Sequence, residues 1–192
     1  LGDVYKRQVC MCLEFGFFSR ATVKPLDRIF NFDDEKRLLL EFARVGEWFT
    51  VAGIRRVGKT TLVRSIINHL GLPCVYLNLW EVDEDRPFVD FVFRFTRELL
   101  SLEDASWRRK LRSIEEISVF GFRVRIRRAK MEFYLDELVE RVLSRERLVV
   151  ILDEVHTLES GLRRLSKLLA VLHDKYAPRL SIILLGSISS VK

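Results

Sequence analysis

Nothing in these 192 residues approaches the ~18-residue apolar run of a membrane-spanning helix. The longest stretch near the start, Val9 to Phe18, is interrupted by Glu14 and lacks the cleavage pattern of a secretory leader. The expectation is a soluble, cytoplasmic protein with no membrane partner. Cysteine is scarce as well. Cys10, Cys12 and Cys74 make an odd count, which argues against a secreted disulfide scaffold. Cys10-x-Cys12 has no second Cys/His pair to complete a tetrahedral metal site. His69 and His173 fall within helical patterns and suggest no ligand set; His156 reads as a solvated loop residue, though three residues past Asp153 it is also near enough to report on a bound phosphate. Internal repeats and low-complexity tracts are missing too. With 48% apolar residues the chain is too hydrophobic for a disordered polypeptide, and its length suits one α/β domain.

The charge that is present is concentrated. The net charge is +6, yet the stretch 106–130 alone holds nine basic residues against Glu115 and Glu116, which accounts for the whole excess. With Trp107, Phe120 and Phe122 interleaved, such a segment can contact phosphates and stack bases. A solvated helix and an edge strand protected by arginines have the same composition.

The most informative local pattern is Phe49 to Thr61, FTVAGIRRVGKTT. An apolar run ends in Gly53-x-x-x-x-Gly58-Lys59-Thr60, the pattern of a phosphate-binding loop. A turn that wraps a polyphosphate must bring backbone N–H groups close, which side chains at Gly53 and Gly58 would obstruct. Lys59 supplies a compact charge for β and γ phosphates, Thr60 a hydroxyl for Mg²⁺, and the next helix aims its positive end at the same anion. The residues that would surround a nucleotide are therefore Gly53, Ile54, Arg55, Arg56, Val57, Gly58, Lys59, Thr60 and Thr61. Chance supplies this pattern in roughly one chain in a hundred of this length.

Strand-like and helix-like patterns alternate around the loop. Asn31 to Val45 reads as a helix, and Leu62, Val63, Ile66, Ile67 and Leu70 form a second before Gly71 and Pro73 stop it. Cys74 to Leu79 reads as a strand, and Pro87 opens a helix with a stripe of Phe88, Phe91, Val92, Phe95 and Leu99. Val119 to Arg127 alternates like a half-exposed strand, and Met131, Leu135, Leu138 and Val142 return to helical spacing. Leu148 to Leu152 suits a central parallel strand, Leu162 to Leu172 another helix, and Leu180 to Leu185 a further buried strand. The pattern predicts a parallel sheet with helices on both faces.

Two further groups belong at the carboxyl ends of those strands, where ligands gather in open α/β sheets. Asp153 can hold Mg²⁺, usually through water, and Glu154 can orient or deprotonate an attacking water. Ser187, at the end of the following strand, is a sensor candidate able to hydrogen-bond a γ-phosphate or that water; a plain turn serine would look the same.

Gly53 to Leu62, the helix-opening Phe32-Asp33-Asp34-Glu35, VYLNL at Val75 to Leu79, VVILDE at Val149 to Glu154 and LLGS at Leu184 to Ser187 together resemble the archaeal ATPase family, a branch of the STAND and AAA+-like P-loop NTPases. The resemblance spans about residues 20–190. It implies ATP with Mg²⁺, sheet order 5-1-4-3-2, and further C-terminal helical and winged-helix domains; the last core strand and any sensor 2 arginine or arginine finger would lie beyond Lys192. The domain expectation is an N-terminal segment, 1–19, followed by a P-loop ATPase domain, 20–192, that carries the basic insertion 106–130. Leu1 to Gln8 resembles translated sequencing adapter, which would give it no structural meaning. The function expected is a nucleotide-controlled switch acting on a protein partner or downstream domain. A nucleic-acid-associated ATPase and a small-molecule kinase are the alternatives.

Overall fold

The computed structural model describes residues 8–11, 24–102, 114–119, 122–125, 131–157 and 162–187. Five parallel strands form the main sheet: β1 (Gln8–Met11), β2 (Phe49–Gly53), β3 (Cys74–Asn78), β7 (Leu148–Asp153) and β8 (Leu180–Ser187). Their spatial order is β1-β2-β8-β7-β3. Helices α1 (Asp33–Val45), α2 (Lys59–His69), α3 (Pro87–Ser101), α4 (Leu135–Arg145) and α5 (Leu162–Tyr176) connect them.

Local sequence accounts for most of these elements. Three acidic residues occupy the first turn of α1, where the helix dipole favours them, and Gly46 ends the helix at φ 79°. Pro87 stands at the start of α3, where its missing N–H costs nothing. Every residue of β7 is buried, as a strand covered on both faces requires. The alternation along β7 divides the core into two layers. Leu148, Val150 and Leu152 join the cluster that contains Phe88, Phe91, Phe95 and Leu99 of α3, Leu138 of α4 and Leu168 of α5. Val149 and Ile151 join Leu39 and Phe42 of α1 with Leu62, Ile66 and Ile67 of α2. The Phe stripe of α3 is thus core.

The strand order carries one departure from expectation. Running β2-β8-β7-β3, the four strands from the phosphate-loop strand onward follow 1-4-3-2, but the fifth place is held by the N-terminal β1. Gln8 pairs with Thr50 and Met11 with Gly53. An open edge on β2 offers unpaired backbone groups to any extended segment within reach, so the fifth place does not require a strand from beyond Ser187.

A second sheet of three strands, order β5-β4-β6, lies between α3 and α4 in the chain: β4 (Ile114–Val119), β5 (Phe122–Arg125) and β6 (Met131–Tyr134). The single strand expected over Val119 to Arg127 is instead divided between two: Val119 ends β4, and Phe122–Arg125 form β5, which pairs antiparallel with it so that Val119 stands opposite Phe122. Met131 is not helical; it opens a strand paired in parallel with β4, and α4 begins only at Leu135. Cross-strand pairing overrode the helical spacing there. Apart from the backbones of β4 and β5, the latter carrying Arg123 and Arg125, the basic stretch 106–130 lies outside the described residues, and with it the side chains of its phosphate-contacting candidates. Among the described residues no helix is long and apolar enough to cross a membrane, and no three or more His, Cys, Asp or Glu side chains cluster as a metal site made of those residues alone.

Candidate functional site

Between β2 and α2 the chain makes the tight loop that its glycines permit. Ile54, Arg55 and Arg56 are exposed there, while Val57, Thr60 and Thr61 are half-buried. Arg56 has φ 69° and Gly58 φ 95°, left-handed geometry that turns successive N–H groups toward one concavity. Lys59 opens α2 and is only 7% exposed. Its Nζ donates to the carbonyls of Gly53 at 3.0 Å and Ile54 at 2.8 Å. The ammonium therefore lies over the loop, with backbone oxygens as its partners.

The second half of the site stands two strands away. β8 pairs with both β2 and β7, and Asp153 closes β7 with 6% exposure. Thr60 Oγ1 donates to Asp153 Oδ2 at 2.6 Å, and the backbone N–H of Glu154 donates to Asp153 Oδ1 at 2.9 Å. Because the proton of Thr60 goes to Asp153, the lone pairs of its oxygen remain for a hard cation. All the donor atoms here are oxygens, which fits Mg²⁺.

Glu154 has φ 57°, so its side chain leaves the strand in a direction different from that of Asp153. Ser187, at the end of β8, lies with Oγ 3.5 Å from Glu154 Oε2, and His156 Nδ1 is 3.4 Å from the same oxygen. His156 is exposed as expected, though it lies in a single 3-10 turn, Val155–Thr157, and not in a loop; its carboxylate contact was not legible from its position. Thr60, Asp153, Glu154 and Ser187 are thus gathered along one line of contacts, with Lys59 beside them.

Two neighbours have no motif to announce them. Tyr76, half-buried in β3, donates its hydroxyl to Asp153 Oδ2 at 2.9 Å. The only sequence signal is a polar group at an alternate position of an apolar strand. Trp80, exposed in the turn Leu79–Glu81, has the guanidinium of Arg55 5.4 Å from its ring centroid. That contact gives one of the paired loop arginines a resting place; Arg56 stays exposed.

The electrostatics favour an anion with a cation. Burial pulls the Lys59 ammonium below its ordinary pKa, while the carboxylates of Glu154 and Asp153 oppose that shift. Burial, followed by the charge of Asp153 and the hydrogen bond to it, pushes the Tyr76 phenol up; Arg64 opposes and Glu81 adds. Tyr76 therefore stays a hydrogen-bond donor at neutral pH.

Comparison with known proteins agrees with this geometry. No curated protein matches the chain. Among solved structures, the Walker-type ATPase of Pyrococcus abyssi superposes with a TM-score of 0.58 at 23% identity, covering 87% of this chain and 47% of that one. The chain thus spans about half the length of that protein, and the likeness establishes the fold, that of a P-loop NTPase. A family model described as an AAA domain matches residues 46–191, from just before β2 to just past β8, so the chain belongs to the AAA domain family.

Proposed function

We propose that this domain binds ATP with Mg²⁺ and hydrolyses it, and that the bound nucleotide acts as a switch for a protein partner or attached domain. The observation that carries the proposal is the contact between Thr60 and Asp153 across 93 residues of sequence, beside a buried Lys59. Such a cluster of one cation, one hydroxyl and two adjacent carboxylates under a left-handed glycine loop has an evident use in holding a triphosphate.

Each residue then has a part. The loop from Gly53 to Thr61 supplies backbone N–H groups, and Lys59 exchanges its two carbonyl partners for phosphate oxygens. Thr60 and Asp153 would hold Mg²⁺, Asp153 through water; the ion supplies charge neutralisation for the phosphates. Glu154 accepts a proton from the attacking water. Ser187, which already approaches the Glu154 carboxylate, orients that water or the terminal phosphate. The likeness to a protein titled a Walker-type ATPase supports ATP as the nucleotide. The Asp153-Glu154 pair favours hydrolysis over transfer to a small molecule.

Calorimetric titration of the protein with ATP in the presence of Mg²⁺ tests the first step. Saturable binding at one site per chain is expected, and no heat at millimolar nucleotide would refute it. Phosphate release without any added acceptor then separates hydrolysis from kinase activity.

A further inference from the structure

Tyr76 lies in the middle of β3, which pairs with β7 so that Asn78 stands opposite Asp153. Its neighbours Val75 and Leu77 are buried in the α3 layer; Tyr76, on the other face, packs toward α2. Arg64 of that helix lies 4.8 Å from the centre of the phenol ring. From there the hydroxyl reaches the Asp153 oxygen that also accepts from Thr60, at 2.9 and 2.6 Å respectively. The second oxygen of Asp153 takes the Glu154 N–H.

Three donors from three directions leave this carboxylate no free rotation. One comes from the phosphate-loop helix, one from the adjacent strand and one from the residue that follows. Among them only Tyr76 lies outside both the phosphate loop with its helix and the Asp153-Glu154 pair. An aliphatic residue at this point of the strand would pack against α2 equally well, and burying a phenol hydroxyl is unfavourable unless it is bonded. The hydroxyl therefore serves Asp153.

We propose that Tyr76 is a positioning residue, which holds the Asp153 carboxylate in the orientation from which it and Thr60 engage the divalent cation that accompanies the nucleotide. Without the phenol, Oδ2 keeps a single side-chain donor, and the carboxylate can swing away from Thr60. A structural role alone would lower stability and leave metal dependence unchanged. A positioning role changes how much metal the site needs.

Because the assignment rests on nucleotide binding at this cleft, the test measures both. ATP affinity is determined for the protein and for Tyr76→Phe, in EDTA and across a Mg²⁺ titration, with melting curves alongside. Phe keeps the ring under Arg64 and the strand propensity, so the fold is retained. The expected result is an EDTA affinity within about twofold of the parent and a half-saturating Mg²⁺ concentration raised about 10-fold, the effect of one hydrogen bond to a charged group. An unchanged Mg²⁺ requirement, with ATP still bound by the parent protein, would overturn the role of Tyr76 alone. Equal losses with and without Mg²⁺ would overturn it as well, since they mark general disruption of the site. Absence of ATP binding by the parent protein would overturn the nucleotide assignment, and this role with it.

Discussion

Replacing Lys59 by alanine separates binding from folding. In the structure its Nζ makes two hydrogen bonds to loop carbonyls, at 3.0 and 2.8 Å, in a setting that leaves the residue 7% exposed. A hydrogen bond between charged partners contributes about 1.5 to 3 kcal/mol, or about 10- to 150-fold in affinity. On binding a triphosphate, however, Lys59 gives up two bonds it already has, so only the difference appears as affinity. The loss in Lys59→Ala therefore belongs at the lower end, about 10- to 30-fold. Two effects oppose each other in the free protein: the loop carbonyls lose a donor, and a desolvated charge is removed. Stability should change by less than about 1 kcal/mol. Fluorescence titration with a labelled ATP analogue measures the first quantity and urea denaturation the second. An affinity within twofold of the parent, in a variant that melts normally, would refute a phosphate-binding Lys59.

Three other outcomes follow from particular contacts. Glu154→Gln should retain ATP affinity and slow phosphate release at least about 100-fold, as loss of a general base does; equal turnover would remove Glu154 from the chemistry. Cys74, half-buried in β3, has its thiol pushed up to about 12 by burial, with Arg64 opposing. Since the folded form holds its proton more tightly, that contribution to stability is intact below pH 9 and is lost as pH rises from about 9 toward 12. With Cys10 and Cys12 replaced by alanine, iodoacetamide at pH 9 should label the folded protein about 500-fold more slowly than the denatured chain, and rapid labelling would contradict it. Gly46→Ala should cost more than about 2 kcal/mol in chemical denaturation, because φ is 79° and a Cβ would collide with the Pro178 carbonyl oxygen and the Arg147 guanidinium. A loss below 1 kcal/mol would show that the turn can shift.

Where chemistry is written in contiguous residues, the sequence was a good guide. Gly53 to Thr61 must carry a loop of this kind because two glycines, a lysine and a hydroxyl follow one another at fixed spacing. Asp153 and Glu154 were legible because a continuously apolar strand ends on them. Tyr76 was not, since its partner lies on another strand and a tyrosine in a strand is ordinary. The β4–β6 sheet was read only in part. At Met131 the apolar spacing matched a helix, and only pairing with Ile114, 17 residues earlier, made a strand. The occupation of the fifth place in the sheet by Gln8–Met11 depends on backbone groups exposed along β2, which no side-chain pattern records.

The position of β8 bears on when the site comes into being. Strands in a sheet stand about 4.8 Å apart, and β8 lies between β2 and β7, so it sets a spacing of about 10 Å between the two strands whose ends carry the loop and Asp153. On the ribosome, a nascent chain that has reached Glu154 contains every loop residue and both carboxylates, yet nothing to hold them at that spacing. Only after residues 180–187 emerge and slide into the gap can Thr60 meet Asp153. If the cleft takes nucleotide as proposed, that capacity depends on the closing of the sheet, and a ribosome-bound chain arrested before Leu180 should have none.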